Sequence, residues 1–193
     1  MSEKFQKAIE RIDSENANDA STEVHHGKTY PKELLYSQRM TAQLLTFHPQ
    51  ASEALQIATR AQHINRWKIP RDNYSMDRVG YLKWREELKK MHAKLTSEIL
   101  QSIGYDAEFI DRVAFLIQKK KIKRDEESQT LEDVICLVFL KYYFEEFSLK
   151  HDDEKLIGII RKTWKKMSDK GREHALLLSY SDANLALIKE AIS

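Results

Sequence analysis

The sequence predicts an all-α protein of about seven to nine helices. Three observations carry that expectation. Apolar residues recur at intervals of three and four along most of the chain. Only five glycines and three prolines interrupt 193 residues. No long segment alternates apolar and polar residues with the period of two that a half-buried strand requires.

The elements follow in order. Phe5, Ile9 and Ile12 share one face of a first helix, from Glu3 to Ser14. Residues 17–30 are too polar to be core, and Val24-His25-His26-Gly27-Lys28 within them reads as a small hairpin or an open loop. Pro31 suits the first turn of a second helix running to Phe47. Pro49 or Gln50 opens a third, with Leu55, Ile57, Ala58, Ala61 and Ile64 apolar; Lys68 to Met76, with Pro70, reads as an ordered loop. A long fourth helix, from Asp77 to Ser102, carries the seam Trp84, Leu88, Met91, Leu95 and Ile99, and Gly104 fits its C-terminal cap. Asp106 caps a fifth, in which Phe109, Ile110, Val113, Leu116 and Ile117 repeat at helical spacing. Lys119 to Gln129 is expected as a charged connection, and Thr130 to Phe144 as a central helix, apolar on nearly every side. Shorter helices are expected from Glu154 to Met167, Gly171 to Leu178 and Asp182 to Ile192.

Composition bounds the function. The chain has the length of one domain, here residues 1–193, with a substantial core. A charged fraction of 32% beside 41% hydrophobic residues describes a water-facing surface around that core. The net charge of +2 neither requires nor excludes nucleic acid. No run approaches the roughly 18 apolar residues of a membrane span. Met1-Ser2-Glu3-Lys4 begins no apolar signal region, and the single Cys136 sits in an apolar run that favours burial. These features are expected of a cytoplasmic protein with no membrane partner.

Candidate chemistry lies between Arg60 and Leu140. His63, His92 and Asp133 fall on successive helical patterns, in or beside apolar faces. Buried imidazole and carboxylate groups are costly unless paired or metal-bound, so they are either hydrogen-bonded core residues or a site. Asp133, beside Glu132, is placed at the start of the apolar helix, where the helix dipole favours a carboxylate. Arg39, Arg60, Arg66, Arg71, Lys83 and Arg85 cluster around His63, interleaved with Tyr36, Trp67, Tyr74, Tyr81 and Trp84. Guanidinium groups bind phosphate and carboxylate as a fork, and aromatic rings stack on planar groups. A phosphorylated or nucleotide-like small molecule fits that inventory; an amphipathic shell with ordinary surface arginines is the plainer reading. Lys119-Lys120-Lys121-Ile122-Lys123-Arg124 is a basic run that allows a nucleic-acid contact, but Asp125-Glu126-Glu127 follows at once and cancels much of its field.

The order of His63, His92 and Asp133 resembles the HD superfamily of metal-dependent phosphohydrolases, helical proteins in which histidines and aspartates hold divalent metal. Ala61-Gln62-His63-Ile64, His92-Ala93-Lys94-Leu95-Thr96 and Leu131-Glu132-Asp133-Val134 carry the likeness. It implies an HD-like helix array in which His63, His92 and Asp133 hold one divalent metal and Glu132 orients the attacking water or a ligand histidine. This chain lacks the His-Asp doublet, having Gln62 and Ile64 around His63, and has Gln38 or Arg39 where a first histidine is expected. Over the whole chain the sequence resembles the family called domain of unknown function 4202. The text includes Tyr30-Pro31-Lys32-Glu33-Leu34-Leu35-Tyr36, Arg60-Ala61-Gln62-His63-Ile64, Gly80-Tyr81-Leu82-Lys83-Trp84-Arg85 and Arg161-Lys162-Thr163-Trp164. Members are sometimes labelled glutamyl-tRNA synthetase, yet no Rossmann-type alternation of strand and helix is present here.

Three functions follow as expectations. The first is metal-assisted hydrolysis of a phosphorylated or nucleotide-like small molecule. There Glu132 and Asp133 are catalytic, and Arg39, Arg60, Trp67, Arg71, Tyr81, Lys83 and Arg85 hold the ligand. The second is an accessory protein that binds such a ligand in the same pocket without catalysis. The third is RNA or tRNA binding.

Overall fold

The computed structural model describes residues 2–193. It is predominantly helical, and a single two-stranded hairpin is the only sheet among the described residues. Its backbone contacts divide the described residues into two units: those up to 45 with 49–120, and residues 46–48 with 121–193.

The first unit opens with α1 (Glu3–Asn16), capped by Ser2, whose hydroxyl accepts the Phe5 N–H. The hairpin follows. β1 (Thr22–His25) pairs antiparallel with β2 (Lys28–Pro31), so of the two forms the polar segment allows it is the closed one. His26 and Gly27, both at positive φ, form its turn, as two-residue hairpin loops require. Asp19 then sets the entry to α2 (Lys32–Phe47): one of its oxygens accepts the Ser21 N–H and the other the Glu33 N–H. This tie fixes Glu33 in the first helical turn.

α3 (Glu53–Arg60) starts three or four residues later than the expected Pro49 or Gln50, because Ser52 is the capping hydroxyl. The chain leaves α3 through Asn65, at φ 54°, in the left-handed region that asparagine tolerates better than most residues. Asn65 is held on both sides, its N–H by Asn16 Oδ1 and its amide by Glu15. The turn places His63 and Arg66 on the same side of the next element. α4 (Arg78–Ile103) is capped by Asp77 and ends at Gly104, at φ 89°, and α5 (Ala107–Ile117) is capped by Asp106, as the sequence predicts. Ile12, Met40, Leu44, Leu55, Ile57, Ile64, Leu88, Leu100, Leu116 and Ile117 form the dry centre of this unit.

In the second unit α6 (Glu126–Val138) begins a full turn earlier than Thr130. Asp125 caps it by accepting the Ser128 N–H, and the acidic Glu126 and Glu127 occupy its first turn, where the helix dipole favours them. The charged connection is therefore shorter than expected, and Asp133 lies in the middle of the helix instead of at its start. A π-helical turn, Phe139–Tyr143, joins α6 to the short α7 (Phe144–Ser148). Then come α8 (Asp153–Lys166), α9 (Asp169–Leu176) and α10 (Asp182–Ile192). Leu131, Val134, Leu137, Val138, Phe144, Leu156, Ile160 and Ile188 are buried here, and Cys136 is buried as expected. Among the described residues no helix is long and apolar enough to cross a membrane.

Candidate functional site

His63 is the centre of a polar cluster in the first unit. Its Nδ1 lies 3.0 Å from Glu33 Oε2, and its Nε2 lies 3.2 Å from an Arg66 Nη1. A guanidinium can only donate hydrogen bonds, so Nε2 carries the lone pair. The proton is then on Nδ1 and is donated to Glu33. Tyr36 stacks on the ring, with centroids 4.0 Å apart and planes 9° apart. Burial, and then the charges of Arg66, Arg85, Lys119 and Lys32, hold the imidazole well below its usual pKa, so it is neutral near pH 7. Burial raises the Glu33 carboxyl against the pull of Arg66 and Lys32.

His92, from α4, has its ring centroid 6.1 Å from that of His63. It is almost fully buried, and its Nδ1 donates to the Ile64 carbonyl at 2.7 Å. The carbonyl can only accept, which leaves the lone pair on Nε2. That atom is buried and has no hydrogen-bond partner. Burial, and then the neighbouring His63, push the His92 pKa down to about 3.

The loop from Arg66 to Asp77 closes over α4. The Arg66 guanidinium stands 4.6 Å from the centroid of Trp84, whose indole N–H donates to the Ile69 carbonyl at 2.8 Å. Gly80 lets the loop come this near: a Cβ there would stand 2.1 Å from the Ser75 carbonyl oxygen. Arg71 spends its donors on the carbonyls of Tyr74 and Ser75 and faces Trp84 and Tyr81 at 5.8 and 6.0 Å. Arg85 donates to the Tyr81 hydroxyl and, among the described residues, pairs with no carboxylate. Among the described residues, the half-buried Trp67 and the exposed Lys83 make no specific polar contact.

Two arginines expected to hold an anion are committed elsewhere. Arg60 grips both oxygens of Asp13 at 2.6 Å and donates to Thr41. Arg39 pairs with Glu23 and with His25 Nδ1, which ties α2 to the hairpin. Both are buried, and their bonds are structural.

Asp133 belongs to the second unit. Its Oδ2 accepts from the Ser168 hydroxyl at 2.5 Å, and its Oδ1 from the Ser168 N–H at 2.8 Å and from Gln129 at 3.1 Å. Ser168 in turn caps α9 by accepting the Gly171 N–H. A Cβ on Gly171 would meet Asp133 Oδ1 at 2.6 Å, so glycine permits the close approach of α9 to α6. Glu132 is buried, with Lys166 Nζ 3.7 Å away. Among the described residues no three His, Cys, Asp or Glu side chains are grouped so that they could hold a metal ion. The second unit also has a cavity of about 400 Å³, lined by Lys123, Arg124, Asp125, Glu126, Asp133 and Lys170 among others. Positive and negative groups balance there.

Of the candidates the sequence offers, His63, His92, Tyr81 and Arg85 lie in or beside this cluster; Glu33 is not among them. A glutamate in a first helical turn has a sufficient local reason in the dipole, and nothing in its spacing points to a histidine 30 residues away.

No curated protein and no solved structure matches the chain. A family match does extend over residues 6–188, close to the full length and across both polar clusters. The chain belongs to the family described as Domain of unknown function (DUF4202).

Proposed function

We propose that the first unit binds a small phosphorylated molecule at His63, Arg66 and Arg85. The observation that carries this reading is an imbalance of charge. Two guanidinium groups, Arg66 and Arg85, act on His63; Glu33 lies 3.8 Å from Arg66, and Arg85 pairs with no carboxylate among the described residues. A phosphate would supply the missing negative charge, and a guanidinium stacked on Trp84 is already oriented to meet it. Arg66 and His63 are each about a quarter exposed, so a ligand reaches both from solvent.

The Glu33–His63 pair favours a second reading, hydrolysis of the bound phosphoester. A carboxylate on Nδ1 fixes the tautomer and leaves the lone pair on Nε2; for that atom to act as a general base, the bound phosphate would have to draw the Arg66 guanidinium away from it. Metal assistance has weaker support. Asp133 spends both oxygens on Ser168, and a guanidinium faces the His63 nitrogen that a metal would need. Glu132, beside Lys166, has no support as a residue that orients water.

Titration calorimetry with inorganic phosphate on the full chain tests the binding reading. Arg66→Ala and Arg85→Ala are each expected to weaken affinity by about tenfold, equivalent to the ~1.4 kcal/mol of one charge-assisted hydrogen bond. Unchanged affinity in both variants would remove the site. A phosphoester screen with Glu33→Gln tests hydrolysis: turnover that falls in the variant while phosphate binding persists supports the dyad, and absence of turnover in the wild type leaves a binding protein.

A further inference from the structure

The lone pair on His92 Nε2 says more about the ligand. We infer that the site takes a phosphorylated molecule carrying a free hydroxyl group a few carbon atoms from its phosphate, and that His92 Nε2 accepts the hydrogen bond of that hydroxyl. This rests on the phosphate-binding reading above and narrows it.

Two independent observations point the same way. The first is the orphaned atom. His92 is only 3% exposed, its Nδ1–H is spent on the Ile64 carbonyl, and its Nε2 has no partner. A buried acceptor left unpaired is uncommon, and a ligand donor is one way to satisfy it. The second is position. One edge of the ring is held by Ile64, and the ring lies beside His63, with Arg66 and Glu33 near enough for their charges to act on it. With ring centroids 6.1 Å apart, His63 and His92 are within the span of one small molecule. Its phosphate would lie at the more exposed Arg66, and its hydroxyl would lie inward.

The chemistry selects the donor. The imidazole is neutral, so Nε2 accepts and does not donate; a carboxylate, an ether or a second phosphate oxygen would meet it lone pair to lone pair. An ammonium group is disfavoured by the surrounding cations. A hydroxyl is the neutral donor that remains among groups common beside phosphate.

The test compares glycerol 3-phosphate with propyl phosphate, which has the same carbon count and no hydroxyl, by titration calorimetry on the full chain. Glycerol 3-phosphate is expected to bind at least about tenfold more tightly, the discrimination a site built around a hydrogen bond shows against the analogue that lacks it. The preference is expected to collapse in His92→Phe. Because that variant also loses the Ile64 bond, the wild type is examined in parallel by ¹⁵N NMR: the His92 Nε2 resonance should move with glycerol 3-phosphate and stay still with propyl phosphate. Equal affinity for the two esters, or a resonance that moves only with Zn²⁺, overturns the inference while phosphate binding at Arg66 and Arg85 stands. Failure of inorganic phosphate to bind at all overturns the binding reading, and this inference with it.

Discussion

His92 and Asp133 are buried to a similar degree, 3% and 2% exposed, but their polar atoms are resolved in opposite ways. In the second unit each Asp133 oxygen has a donor, Ser168 supplies two of the bonds, and the same serine caps α9. The cost of burying a carboxylate is offset within the fold. In the first unit His92 Nε2 has no partner among the described residues, and Arg85, whose charge acts on His63, pairs with no carboxylate there. Burial alone therefore does not separate site from scaffold. What separates them is whether the donors, acceptors and charges close among themselves.

Acid sharpens that contrast most. His63 and His92 have folded pKa values below the unfolded value of 6.5, His92 at about 3. The unfolded chain thus takes up protons that the native state refuses, and stability present above pH 6.5 is lost as pH falls toward 3. The loss for one such histidine is ~1.4 kcal/mol per pH unit across the window. Glu33 and Asp133, raised by burial, act with the opposite sign: the native state holds their protons more tightly, which favours the fold in acid and fades as pH rises. Urea melts from pH 7 to 4 should show a steep decline that is shallower in His92→Phe. A flat profile in the wild type would mean that the imidazoles are solvated.

Asp133→Ala is the next largest effect. It leaves the Ser168 N–H and hydroxyl and the Gln129 amide without their acceptor, and weakens the start of α9. The expected loss is about 2–4 kcal/mol by chemical denaturation. Phosphate affinity in the surviving folded fraction should be unchanged. Affinity that falls while stability holds would make Asp133 a ligand group and break the comparison at its scaffold end.

What the sequence discloses follows the range of the interactions. Helical spacing and short-range caps are local, so the all-α class, Asp106, Gly104 and the seam of α4 can be read directly. The start of α6 lies earlier than composition suggests, because Asp125-Glu126-Glu127 next to a lysine run resembles a loop, although an aspartate followed by acidic residues also caps a helix. That shift moved Asp133 from a helix end to its middle and removed the dipole as its reason. The partners that decide roles are distant in sequence: Ser168 for Asp133, Glu33 for His63, Asp13 for Arg60. Residue type gives the candidates, and only the fold assigns the partners.

Arg60 gives the smallest and most discriminating test, because composition makes it as good a phosphate ligand as Arg66. Its guanidinium meets both Asp13 oxygens at 2.6 Å, and a third nitrogen reaches Thr41. Asp13 keeps partial exposure, so solvent screens the pair. Arg60→Lys keeps the charge but loses the two-pronged geometry. The expected outcome is a stability loss of about 1 kcal/mol, reduced further at high salt, with phosphate affinity unchanged. A ligand arginine would behave in the reverse manner: little change in the melt and about a tenfold loss of affinity. Since both quantities come from the same variant, the result places Arg60 on one side of the line between closed scaffold and open site.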